Sequence, residues 1–288
     1  MLVVIASSNA DIVEERVCLF SLINTGHKIE DIRIIDGETG EIYDANRTTV
    51  LGRFEVNSLS SSTNFTQVRS YIPLKFQGVS TVVIDPDTIV FEHLSGIFSG
   101  SPAHGIYARQ AYGYRKYATS VMGYNLPKMS KSDSDLYVEL LASSEFSIED
   151  KIYLSEHFAR ALPWDIHRIA SKWNSFDYVG AKTSVLHFTN LRTQPWIYGG
   201  HPLEALWFGF ASSAIESGYL TNEHIAVQSR TPLPYDNQRM SLRPDFTACL
   251  DRNYGDFGIF KKMVAAVTQS YRDVKFQNPI PWLWNWLL

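Results

Sequence analysis

Short apolar runs alternating with amphipathic stretches set the rhythm of the first hundred residues. Leu2 to Ile5 is a continuous apolar run that ends in the small polar loop Ala6-Ser-Ser-Asn9, and it reads as a buried strand. From Asp11 to Asn24, Val13, Val17, Phe20 and Ile23 recur roughly on one helical face, and Gly26 closes that helix. Ile32 to Ile35 reads as a second strand, stopped by Asp36-Gly37. The Glu38 to Glu41 turn and the Ser58 to Thr63 run read as loops. Phe65 to Phe76 predicts a helix kinked or broken at Pro73. Thr81-Val-Val-Ile84 is then a third strand. Two βα units followed by a strand predict an α/β fold with a Rossmann-like, mixed but mainly parallel sheet flanked by helices.

Further along, the pattern predicts strands at Thr119–Tyr124 and Thr183–His187. It predicts helices at Ile148–Leu162, Leu203–Ser217 and Tyr254–Tyr271. The stretch from Thr231 to Asp245 carries Pro232, Pro234 and Pro244 and reads as a linker or surface arm. The expected division is a main domain over 1–230 and a C-terminal extension over 231–288, made of a helix and an aromatic tail.

Composition narrows the classes. With 45% hydrophobic and 19% charged residues the chain is globular, and a net charge of −4 gives no electrostatic footprint for nucleic acid. Cys18 and Cys249 stand far apart, so a disulfide framework is not expected and a reducing compartment fits better. No apolar run reaches transmembrane length, and Met1 to Ile5 reads as a strand rather than a leader. The expected location is cytoplasmic, with peripheral contact at the inner face of a membrane as an option. The tail Ile280-Pro-Trp-Leu-Trp-Asn-Trp-Leu-Leu288 suits either such an interface or packing in a homodimer.

The chemistry concentrates at Asp85-Pro86-Asp87, directly after the third strand. In open α/β sheets ligands bind at the carboxyl ends of strands. Side chains two apart on an extended backbone share a face, so both carboxylates can grip one hard cation through oxygen. Pro86 fixes φ between them. Taken alone, such an acid pair is also what a solvated turn looks like. Two other segments add to it: the strand ending in His187, and the helix upstream carrying Arg69.

At this point the chain resembles glycosyltransferase family 8, the glycogenin-like and bacterial galactosyltransferase-like enzymes of the GT-A fold. Val83-Ile-Asp-Pro-Asp-Thr-Ile-Val-Phe-Glu-His-Leu-Ser-Gly-Ile-Phe98 is similar to the family's strand, D-x-D and short helix. His187-Phe188 with Pro195-Trp196 is similar to its later H-[FY]-x-G-x-x-K-P-W segment. The family Gly is Asn190 here, the family Lys is Gln194, and the segment is one residue longer. The resemblance covers roughly residues 1–200. It implies Mn²⁺ or Mg²⁺ held by Asp85, Asp87 and His187, with Asp85 and Asp87 as the catalytic pair. It also implies a nucleotide-sugar donor, typically UDP-linked. Ala6, Ser7, Arg69, Ile84, Asp85, Arg192 and Gln194 would surround its nucleotide and phosphates, and Thr119, Ser120 and Asp150 would face the sugar or the acceptor. Asp150 also suits the first turn of a helix. Trp173-Asn-Ser-Phe176 is similar to a segment of the pocket wall in relatives. The activity implied is transfer of a hexose to a glycan or lipid-linked acceptor with retention of configuration. Two other readings stand beside it: a degenerate transferase that only binds nucleotide or glycan, and a haloacid-dehalogenase-like phosphatase.

Overall fold

The computed structural model describes residues 1–53, 64–99, 104–111, 116–233 and 236–250. In chain order its strands begin β1 (Leu2–Ser7), β2 (Ile32–Asp36), β3 (Glu41–Asp44), β4 (Val50–Arg53), β5 (Thr81–Ile84) and β6 (Thr88–Val90). They continue with β7 (Gly105–Ala111), β8 (Lys116–Asn125), β9 (Ile166–Arg168), β10 (Ser175–Phe176), β11 (Val185–His187), β12 (Pro232–Leu233) and β13 (Asp236–Met240). The helices are α1 (Ile12–Asn24), α2 (Asn64–Lys75), α3 (Lys131–Ala142), α4 (Ile148–Ile152), α5 (Glu156–Ala161), α6 (Glu204–Glu216), α7 (Asn222–Gln228) and α8 (Phe246–Leu250). They fall into two compact units. One comprises Met1–Ser8, Lys28–Asp85 and Leu94–Asn174; the other comprises Asn9–His27, Pro86–His93 and the chain from Ser175.

The first unit is built on an eight-stranded sheet in the order β4-β3-β2-β1-β5-β8-β7-β9. Its centre is parallel: Val4 of β1 lies between Arg33 of β2 and Val83 of β5. The β-branched runs of β1 and β5 are buried, as strands covered on both faces must be. The flanks turn antiparallel, with β3 and β4 beyond β2, and with Ile84 of β5 paired to Val121 of β8. Strand β9 pairs parallel with β7 at the far edge.

Helix α2 runs through Pro73 without a break. Proline cannot donate to the carbonyl four residues back, at Arg69. That carbonyl accepts from the Tyr124 hydroxyl instead, at 3.2 Å, and the Ser70 carbonyl accepts from the Tyr137 hydroxyl at 2.8 Å. The single helix expected over 148–162 is in fact two, α4 and α5. Leu154 takes a left-handed φ of 43°, and Ser155 restarts the helix by capping the Phe158 amide.

Gly96 lies in a 3₁₀ turn, Leu94–Phe98, against the benzo edge of the Trp173 ring. A Cβ there would overlap the indole ring, so only glycine fits unless the tryptophan moves.

The second unit has the small sheet β10-β11-β6, with β11 parallel to β10 and antiparallel to β6. Its core gathers Val13, Val17 and Phe20 of α1 with Trp207 and Phe210 of α6, Phe246 of α8, and Trp196. Phe20 and Phe210 meet edge to face at 6.3 Å. Part of the proline-rich segment is the hairpin β12–β13 rather than a linker, with Pro232 opening its strand, where a missing donor costs little. Cys18 and Cys249 are both buried thiols that form no disulfide. Among the described residues no helix is long and apolar enough to cross a membrane. The Ser58–Thr63 run, the helix expected over 254–271 and the aromatic tail lie outside the described residues.

Candidate metal centre

Strand β5 ends where its apolar run ends, and Asp85 follows with its amide donating to the Ser120 carbonyl at 2.9 Å. Its side chain is buried. Arg69 of α2 donates to Asp85 Oδ2 at 2.6 Å and to Thr119 Oγ1 at 2.9 Å. Arg69 is itself buried, so this is a desolvated pair that depends on its extra hydrogen bond. Ser120 is held in turn by Asn174, whose Nδ2 reaches Ser120 Oγ at 3.0 Å, and the Arg109 guanidinium donates to the Asn174 carbonyl. Thr119 and Ser120 are thus buried members of the network around Asp85. Ala6, Ser7 and Ile84 are fully buried at the ends of their strands, and the Ser7 carbonyl accepts from the Gly37 amide at 2.8 Å.

Asp87 has a different setting. His187, the last residue of β11, brings Nε2 to 3.2 Å from Asp87 Oδ1, and the Asp87 carbonyl accepts from the Phe188 amide at 3.0 Å. Gln194 donates through Nε2 to Asp87 Oδ2 and to the Phe188 carbonyl, both at 3.4 Å. Arg192 is exposed, with its amide donating to Asn190 Oδ1 at 3.2 Å. Asp150 completes a capping box with Ser147 at the start of α4; bonds from Ser147 and Ser155 hold its carboxyl below the ordinary value.

One ligand atom from each of Asp85, Asp87 and His187 lies within 4.8 Å of the other two. Pro86 alone separates the acids, so the chain itself keeps them together. The residues fit a divalent ion. Asp87 Oδ1 is buried and receives no hydrogen bond although His187 Nε2 is only 3.2 Å away. Two atoms placed side by side without bonding to each other are what neighbouring ligands of one ion look like. Neighbouring ligands of an octahedral ion at about 2.1 Å stand about 3 Å apart. A shell of two carboxylates and an imidazole suits Mn²⁺ better than Ca²⁺.

Solved structures identify the architecture. The bifunctional glycosyltransferase WbbM, in its apo form, superposes with a TM-score of 0.55 at 13% identity, over 80% of this chain and 51% of its own. The apo form of the glycosyltransferase GlyE from Streptococcus pneumoniae TIGR4 gives 0.51 at 15% identity, over 76% of this chain and 62% of its own. The fold is GT-A. No family model and no curated protein matches the sequence. This chain spans about half the length of WbbM and about three fifths of GlyE. The GT-A fold also removes the phosphatase reading, which requires a different architecture.

Residues that sequence patterns did not single out surround His187. Asp177 accepts from Thr189 Oγ1 and, at 3.1 Å, from His201 Nε2. Burial works to raise its carboxyl, but those two bonds and the electrostatic influence of the nearby His201 and His187 rings hold it below the ordinary carboxylate value. An Asp directly after a short strand is a weak signal in the sequence, and its left-handed φ of 48° is visible only in the structure.

Proposed function

We propose that this chain is a metal-dependent glycosyltransferase that moves a hexose from a nucleotide-sugar to a glycan or lipid-linked acceptor. The observation that carries the reading is the Asp85, Asp87 and His187 cluster at the end of a central strand of a GT-A fold. In this reading Asp85, Asp87 and His187 hold Mn²⁺ or Mg²⁺. The bound cation supplies Lewis-acid stabilisation for the charge that develops on the leaving nucleoside diphosphate. Arg69 pairs with Asp85 and aims it, while Gln194 occupies one Asp87 oxygen and leaves the other for the cation. Ala6, Ser7 and Ile84 border the nucleotide, and Thr119 and Ser120 border the sugar. Arg192, exposed two residues before Gln194, supplies the positive charge that a lysine gives the diphosphate in family 8. Family likeness supports a UDP donor and retention of configuration. The sequence pattern supports a catalytic domain over 1–230, with 231–288 as an extension whose aromatic tail would serve membrane or dimer contact.

Thermal-shift measurements against a panel of nucleotide-sugars, with and without Mn²⁺, test the proposal. A ligand that binds only the folded state raises the melting temperature with its concentration. At least one donor is expected to do so in Mn²⁺ and not in chelator, and to be slowly hydrolysed. If no donor shifts the melting temperature and none is consumed, the transferase reading is wrong. Binding without turnover would favour the degenerate, binding-only protein, a reading supported by the neutral Gln194 in place of a cation.

A further inference from the structure

We infer that Asp177 and His201 are positioning residues that hold the segment from His187 to Asn190 in the conformation that presents His187 to a cation. The inference rests on the metal reading above. Three residues of that segment are tied to this one aspartate. The Asp177 amide donates to the His187 carbonyl at 2.9 Å, Thr189 Oγ1 donates to Asp177 Oδ2, and the Asn190 amide donates to Asp177 Oδ1 at 3.4 Å. His201 is the third donor to the Asp177 carboxylate, through Nε2 to Oδ1 at 3.1 Å.

The tautomer of His201 follows from its other nitrogen. Nδ1 accepts from the Leu203 amide at 3.0 Å, so in the neutral ring the proton sits on Nε2 and points at Asp177. The ring is 5% exposed and packs against Phe188, centroids 5.1 Å apart, which fixes its orientation from the apolar side. Three of the roughly four acceptor positions of Asp177 are thus taken by donors from its own unit, which leaves little capacity to ligate a cation. Its backbone sits at φ 48°, a conformation an aspartate adopts at a cost that surrounding contacts must offset. A carboxylate that gathers donors from His187's own segment and from a buried histidine acts on the cation through His187, as outer-shell partners of metal ligands do.

The test is Mn²⁺ affinity of the full chain without donor, read by electron paramagnetic resonance, alongside the melting temperature. Asp177→Asn and His201→Phe are expected to weaken Mn²⁺ binding by about 10-fold, the lower end of the outer-shell range. His201→Gln keeps an N–H near the Nε2 position and is expected to bind within about 2-fold of wild type. Thr189→Ser should likewise retain affinity while Thr189→Val loses part of it, and that pair decides the matter if Asp177→Asn does not fold. Lower melting temperatures with Mn²⁺ affinity unchanged would reduce Asp177 and His201 to ordinary turn-holding residues and overturn the inference. In that outcome the metal reading survives, because wild type still binds. A wild-type chain that binds no Mn²⁺ overturns both.

Discussion

Asp85 and Asp87 are two residues apart, yet their surroundings follow opposite logic. Asp85 is closed in by a protein cation: Arg69 lies at 2.6 Å, and Thr119 and Ser120 complete a network in which the charge is matched before any ligand arrives. Asp87 instead meets the Gln194 amide and the His187 imidazole, groups without permanent charge, while in both acids the buried Oδ1 takes no hydrogen bond. The first arrangement makes a rigid anchor. The second leaves negative charge that an added cation can satisfy. A strand-end acid pair therefore need not be two equal ligands; here one is set up mainly to hold position and the other mainly to bind.

The sharpest way to break this contrast is Arg69→Met. Removing one partner of a buried pair strands the other charge, and the expected loss of stability is about 3–5 kcal/mol, measured by chemical denaturation. If Asp85 is the anchored partner, Mn²⁺ should restore more melting temperature to this variant than it adds to wild type. Next in size is Asp87→Ala, which should lower Mn²⁺ affinity by at least about 100-fold, beyond what loss of an outer-shell partner costs. Calorimetric titration would measure it, and a variant that binds Mn²⁺ like wild type would contradict the division of roles.

How far the sequence foretold this contrast differs between its two halves. The short β-branched run before Asp85 made the strand and its end legible, and the resemblance brought His187 to the acid pair. Arg69 was legible as a candidate but its partner was not, because the pairing depends on α2 packing over β1 and β2, which no local pattern states. The interruption at Leu154 was hidden as well: leucine carries no preference for left-handed backbone, and Ser155 reads as a cap only once the break is known. Asp177 and His201 are 24 residues apart with no spacing rule to connect them.

A smaller expected effect comes from Gln194→Lys, which would set an ammonium against Asp87 Oδ2 and give that carboxylate the fixed cation Asp85 already has. Mn²⁺ affinity should fall by about 10-fold, roughly 1.4 kcal/mol, in the same titration; an unchanged affinity would mean Gln194 does not guard the binding oxygen.

The smallest effect concerns Glu14, buried in α1. It accepts from Gln228 Nε2 at 2.6 Å, and burial, with the Asp11 charge beside it, pushes its carboxyl well above the ordinary 4.5. A carboxyl raised in the folded state binds more protons folded than unfolded. Stability should thus be greatest near and below that ordinary value and fall as pH rises toward the folded one. Glu14→Gln should remove this slope and raise the melting temperature by about 2 °C at pH 8, on the order of 1 kcal/mol, with little change at pH 4.5. Equal shifts at both pH values would show that Glu14, like Asp85, has its charge matched.

Gly96 has a consequence for anyone mutating this chain at random. It touches none of the proposed ligands, but a side chain there must displace Trp173, the neighbour of the Asn174 that steadies Ser120 beside Asp85. In a library sorted by sugar transfer, Gly96 would be scored among the residues of the centre, and a map of mutational sensitivity would place the edge of the active site one layer too far out.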